Sequence, residues 1–286
     1  MKKRLLLCFL LVLMCCMTAA AQQAQFQPLT YWYEFAVNPG KEAQFLEQVK
    51  TVGAPVRDKL MADGVILAWG VDVPLMHMPG GHTHEIWYAV ADWAGIEKVD
   101  TALRAQIAKL DDEAAKAGVT AKKGATSTQG PTARMMDISD VSKRRDYLTR
   151  DLVFAATSTP PPADAQPYTR FLFNKVKPGK GAEYRKAWEK YNKPIYEKLL
   201  ADGVIQAYGL AVEEVRTDGD FTHFAWMSMK DLSAMDKLRA AFIADRDRRS
   251  QEEQDAITEL FTSLVDADAT RSDVTRSLIF KVAPMK

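Results

Sequence analysis

The chain writes one phrase twice. Residues 60–70 read LMADGVILAWG and residues 199–209 read LLADGVIQAYG. The shift of 139 positions that superposes them also aligns 31–93 with 170–232 without a gap, at about one identity in three. Pro39-Gly40-Lys41 meets Pro178-Gly179-Lys180, Pro55 meets Pro194, Thr83-His84 meets Thr222-His223, and Trp87 meets Trp226. Self-similarity of this length constrains the fold before any local propensity does, because whatever one copy forms the other must form as well. After an indel the register returns at TRDLVF (149–154) and TRSLIF (275–280).

Each copy reads strand, helix, strand, strand, helix, strand. Residues 31–37 and 170–176 are rich in aromatic and β-branched side chains and end at a Pro-Gly turn. Helical stretches follow at 41–52 and 181–191. Pro55 and Pro194 interrupt them, predicting kinked helices that resume to Ala62 and Ala201. Gly64 and Gly203 then suit the left-handed position that closes a helix. Second and third strands are expected at 65–73 and 83–91, and at 204–212 and 222–230. Asp92 and Asp231 are candidate N-caps for single second helices over 93–116 and 232–265. The last strands are expected at 152–155 and 278–282. The polar stretch 118–146 has no counterpart of equal length and suggests a lid or a mobile excursion.

The first residues, MKKRLLLCFLLVLMCCMTAAAQQAQ, carry a basic start, a short apolar run and a small-residue AAA site. This predicts a secretory signal over 1–21, a periplasmic or secreted location, and no membrane span in the remaining chain. Cys8, Cys15 and Cys16 all fall in that segment, so disulfides, thiolate metal sites and Cys nucleophiles are excluded from residues 22–286. Without Lys2, Lys3 and Arg4 the 38 basic residues become 35 against 37 acidic ones, a balance that argues against nucleic-acid binding. The expected organisation is unit 1 over 22–156, a proline-rich linker over 157–167, and unit 2 over 168–286.

The duplicated order, the two strand–helix–strand phrases over 31–70 and 170–209, and the His-bearing third strands resemble the dimeric α+β barrel superfamily. That group includes antibiotic-biosynthesis-type monooxygenases, EthD and NIPSNAP-like proteins. The resemblance implies an α+β fold of two ferredoxin-like βαββαβ units packed sheet to sheet, here as an intramolecular pseudo-dimer. Elementary packing agrees, since a four-stranded sheet with helices on one face must cover its other apolar face. No diagnostic catalytic motif is present, so no family site carries over.

Candidate site residues come from the histidines and from the places where the copies disagree. His84 and His223 stand at equivalent positions and suit acid–base chemistry or ligand contact, or else a structural hydrogen bond at the strand start. Glu34 and Glu85 are carboxylates in apolar strands whose counterparts are Phe173 and Phe224, which makes them candidate bases. Trp69, Trp87, Tyr208 and Trp226 are candidate ligand-lining aromatics, with ordinary core packing as the plainer reading. Arg170 and Asn174 are the polar exceptions of the second unit, expected to share a space with Glu34 and Glu85. HMPGGHTHE (77–85) holds three histidines, and His82 and His84 are expected on one strand face, a spacing known in zinc and copper sites. The second copy has Arg216 and Phe221 in place of His77 and His82. A surface loop is therefore the plainer reading, and neither a metal nor a cofactor is assigned.

Nucleophile elbow, HExxH, P-loop and dinucleotide-binding motifs are absent. The leading expectation is an exported protein that binds a small apolar or aromatic molecule between its two units and is open to oligomerisation. The alternatives are a cofactor-independent oxygenase or isomerase on the same scaffold, and a non-catalytic protein-interaction module.

Overall fold

A computed structural model of the chain describes residues 27–76, 81–120, 129–158, 162, 165–217 and 220–283. The expected signal segment, His77 and two of the linker's four prolines, Pro160 and Pro161, lie outside the described residues. The first half runs β1 (Leu29–Val37), α1 (Glu42–Gln48), a π-helical turn (Val49–Gly53), α2 (Ala54–Ala62), β2 (Ile66–Pro74) and β3 (His84–Val90). It continues with α3 (Trp93–Thr120), α4 (Pro131–Ile138) and β4 (Ser139–Ala156). The second half repeats the plan as β5 (Tyr168–Val176), α5 (Gly181–Tyr191), α6 (Lys193–Ala201), β6 (Ala207–Glu213) and β7 (His223–Met229). It ends with α7 (Ser233–Asp247), α8 (Gln251–Leu264) and β8 (Val265–Val282).

The strands close into one barrel in the order β1-β3-β2-β8-β5-β7-β6-β4. The expected face-to-face packing of two sheets is therefore corrected to a hydrogen-bonded ring. Two seams join the halves: Ala68 to Pro74 pair with Val282 to Thr275, and Thr149 to Ala156 pair with Glu213 to Ala207. The expected short last strands are also corrected, because β4 and β8 each run 18 residues. That length lets each pair with its own half on one side and the other half on the other. Much of the stretch read as a lid is thus α4 and the start of β4. Every pairing is antiparallel, so around this ring β1 and β5 run the same way. Equivalent strand ends from both halves meet at one mouth of the barrel.

The repeated ADGVI phrase makes the helix-to-strand corner. Val65 N–H donates to Leu60 O (2.9 Å) and Gly64 N–H to Met61 O (3.0 Å), and Val204 and Gly203 repeat the pattern on Leu199 and Leu200. Gly64 (φ 75°) and Gly203 (φ 67°) hold the left-handed conformation that this Schellman closure needs. Pro55 and Pro194 sit in the first turns of α2 and α6, where a missing N–H costs nothing. In the first half the junction before Pro55 is absorbed by the π turn. The single helix expected over 232–265 is two: the chain breaks after Asp247 and restarts at a capping box between Ser250 and Glu253. Asp92 accepts from Gly95 N–H (2.9 Å) at the start of α3, whereas the expected cap Asp231 is corrected: the N-cap of α7 is Leu232, and Asp231, one residue earlier, accepts from Ser233 N–H (3.0 Å).

Strand alternation divides the side chains between two environments. One face packs under the helices: Leu29, Ile66, Trp69 and Tyr88 cluster with Phe45 of α1 in the first half, and Tyr208 packs on Trp188 of α5 and Tyr196 of α6 in the second. The other face fills the barrel interior, where Trp32, Phe171, Phe173, Phe221 and Phe224 cluster with Trp87, Tyr147 and Trp226.

Candidate functional site

Glu34 on β1 and Glu85 on β3 are direct cross-strand partners, both buried and both on the interior face. Like charges directly opposite each other in a sheet repel. The chain answers with His82, just before β3, whose Nδ1 lies 3.5 Å from Glu34 Oε2 and whose Nε2 lies 2.5 Å from Glu85 Oε1. Both contacts pair the imidazole with a carboxylate, the closer one being to Glu85. Tyr147 Oη on β4 donates to Glu34 Oε1 (3.2 Å).

Burial pushes the Glu85 carboxyl above its ordinary range. Burial also acts on Glu34, but hydrogen bonds from His82 and Tyr147 outweigh it and hold that carboxyl low. Burial opposes charge on His82, yet the two carboxylates prevail and raise the imidazole to about 10. His82 is therefore an imidazolium between two acids at neutral pH. Burial raises Asp273 on β8 as well, and Asp273 feels both His82 and Glu34 across the barrel.

The second half places rings where the first half places this cluster. The 139-residue shift takes Glu34, His82 and Glu85 to Phe173, Phe221 and Phe224. Those three rings touch one another, with centroids 4.9, 5.4 and 5.8 Å apart. The post-indel register takes Tyr147 to Asp273 and Arg145 to Arg271. Arg271 lies over the Phe173 ring (4.6 Å). One mouth of the barrel is thus ionisable on the side of β1, β3, β2 and β8 and aromatic on the side of β5, β7 and β4.

Below the mouth lies a second pattern. Trp87 Nε1 donates to Asp72 Oδ2 (3.0 Å) and Trp226 Nε1 to Asp151 Oδ1 (2.8 Å). Each indole packs flat against a strand position that must be glycine. A Cβ on Gly70 would stand 2.8 Å from Trp87 Cε2 and from Ile279 O, and one on Gly209 would press on Trp226 and stand 2.9 Å from Val153 O. This explains the last letter of AWG and AYG. Asp72 faces Ser277 across one seam, while Asp151 faces Ala211 across the other. The acid has therefore changed strands between seams. Burial raises both carboxyls to about 7.

The remaining candidates fall on the helix-facing side. His84 lies against Phe45 (4.8 Å) and His223 against Tyr184 (5.4 Å). Each shares a 3.0 Å contact from Nδ1 to the preceding threonine hydroxyl. Thr83 and Thr222 in turn accept from Val37 N–H and Val176 N–H, both at 2.9 Å, tying β3 to β1 and β7 to β5. Burial, with Arg216 nearby, lowers His223 to about 4. The expectation that His82 and His84 share a face is corrected, because a bend at Thr83 breaks the alternation.

Trp69 donates to Asp58 Oδ1 (3.0 Å) beneath Arg57 and Lys281, and Tyr208 stacks on Tyr196 (5.5 Å). Asn174 donates to Tyr184 Oη (3.1 Å), and Arg170 reaches Tyr196. Arg170 and Asn174 therefore do not share a space with Glu34 and Glu85. Trp87 and Trp226 do reach the interior. The sequence reading missed His82 as the partner of the glutamates, together with Tyr147, Asp72, Asp151 and Asp273. The signals were present: His82 opposite Phe221, and the post-indel register pairing Tyr147 with Asp273.

No family model matches the chain, and no curated protein matches it either. Solved structures do share its fold. A candidate monooxygenase from Fusobacterium nucleatum aligns at 12% identity with a TM-score of 0.57, covering 89% of this chain and 94% of that one. A candidate monooxygenase from Lactobacillus acidophilus aligns at 10% identity and 0.53, covering 90% and 97%. An anthrone oxidase-like protein aligns at 13% and 0.51, covering 92% and 96%. These are dimeric α+β barrel proteins, and the likeness is one of fold. No helix among the described residues is long and apolar enough to cross a membrane.

Proposed function

We propose that this protein is an exported, tandem-duplicated α+β barrel, an intramolecular pseudo-dimer, that binds a small apolar or aromatic molecule at the mouth shared by Glu34, His82, Glu85 and Tyr147 with Phe173, Phe221 and Phe224. The observation that carries the reading is the exchange of three contacting rings for three contacting ionisable groups at equivalent positions. A packed barrel needs only the rings. A mouth that is half aromatic and half charged offers a flat apolar molecule a stacking surface and a polar group to orient it. A second reading, an oxygenase or isomerase, is favoured by the shared fold with candidate monooxygenases and by carboxylates placed to take a proton from such a ligand.

The test is two-dimensional NMR of residues 22–286 titrated with phenols, aromatic ketones and aromatic acids. Binding at the mouth shifts the indole N–H signals of Trp32 and Trp87, and Glu85→Gln weakens it. Ligands that move only surface amides would overturn the reading. Turnover of a bound compound, lost in Glu85→Gln, selects the enzyme over the binding protein. N-terminal sequencing from the native host tests export, with Gln22 the expected first residue.

A further inference from the structure

We infer that Glu34, His82 and Glu85 form a binding site for a single divalent transition-metal ion of the Mn²⁺, Fe²⁺, Co²⁺ or Zn²⁺ class. The inference rests on the same mouth as the proposed function but needs no organic ligand.

Geometry comes first. One donor atom from each of the three residues lies within 4.8 Å of the others, which is the spread a single ion gathers with small side-chain movements. Two carboxylate oxygens and one imidazole nitrogen form a mixed donor set. It suits the metals named above better than Ca²⁺ or Mg²⁺, which take oxygen almost alone.

Cost comes second. The sister half shows that these three positions are filled without charge by Phe173, Phe221 and Phe224. Buried ion clusters commonly lose stability against packed apolar groups of similar volume. A fold that already has the apolar solution yet keeps two carboxylates and an imidazole together retains a metal-ligand set at a cost in stability.

Donor atoms come third. His82 already bridges the two carboxylates, with Nδ1 toward Glu34 and Nε2 toward Glu85. On the next strand, Asp72 is the register partner of Glu85, 2% exposed, and its Oδ1 has no hydrogen-bond partner. An ion bound among the three ligands takes the place of the His82 ring proton, which is released to solvent as the imidazole nitrogen becomes a ligand. Three protein ligands also leave coordination positions open, as in metal sites that meet a substrate.

The experiment uses residues 22–286 freed of metal by chelation and dialysis. It titrates Co²⁺, followed by visible absorption, and Zn²⁺, followed by calorimetry. One ion per chain is expected. Glu34→Gln and Glu85→Gln each weaken binding tenfold or more. The triple variant E34F/H82F/E85F, which copies the sister half, abolishes binding while its melting temperature holds or rises. Less than one ion per chain at saturating Co²⁺, or an unchanged isotherm in the triple variant, overturns the site. If the metal titrations fail while aromatic ligands still shift the indole signals, the metal site falls and the ligand-binding reading stands.

Discussion

The two halves of the mouth solve one packing problem in opposite ways. Phe173, Phe221 and Phe224 fill their side with rings that gain from apolar burial and edge-to-face contact. Glu34, His82 and Glu85 fill theirs with charges that must satisfy one another. In the same backbone frame, the aromatic triad tolerates losing a member better than the ionic one does. An absent ring leaves a cavity, whereas an absent imidazole leaves two acids face to face.

The largest effect expected from breaking that comparison is therefore His82→Phe alone. It strands both carboxylates and should cost about 3–5 kcal/mol in a urea denaturation series. Adding Glu34→Phe and Glu85→Phe should restore the loss. If the single variant is as stable as the parent, the cluster is not coupled as described. Next among the losses come Gly70→Ala and Gly209→Ala. Both push a Cβ into an indole and a neighbouring carbonyl, for about 1–3 kcal/mol each by thermal melting. Unequal costs would show that the two seams yield differently.

Asp151 supplies the pH arm. Its folded pKa of about 7 lies above the ordinary 3.8, so the native state holds a proton that the unfolded chain has released between those values. Stability from this group falls as pH rises through that window. Asp151→Asn still presents an oxygen to Trp226 Nε1. It should stabilise by about 4 kcal/mol at pH 8, with the gain shrinking toward pH 4. A gain independent of pH would refute the assignment. The smallest effect is expected from Thr83→Val and Thr222→Val. Each loses the same strand-start hydrogen bonds and should cost about 1 kcal/mol, equally in both halves.

The architecture was legible because it is written locally and twice. Gly64 and Gly203 mark their corners, and Pro55 and Pro194 their helix starts. What is not local was not legible. The lengths of β4 and β8 are set by pairing with a strand of the other half. Neither the polar composition of 139–147 nor that of 265–273 announces a strand. At the site, Glu34 and Glu85 stood out as acids opposite aromatics. His82 did not, because strand periodicity assigned it to the face of His84 and only the bend at Thr83 turns it inward. Arg170 and Asn174 looked like interior polar groups for the converse reason: nothing in a strand's own sequence says which face meets the helices.

The indole anchors carry a consequence for how such a molecule can be assembled. Both acids that receive an indole N–H, Asp72 and Asp151, belong to the first half, although Trp226 belongs to the second. A homodimer of first halves would set Asp72 opposite Asp151 at each seam, two acids in one dry slot. A homodimer of second halves would set Ala211 opposite Ser277, with no acid for either indole. Neither half could partner a copy of itself without a penalty at both seams. The halves are a matched pair, and the covalent link between them preserves a dependence that the side chains at the seams would enforce without it.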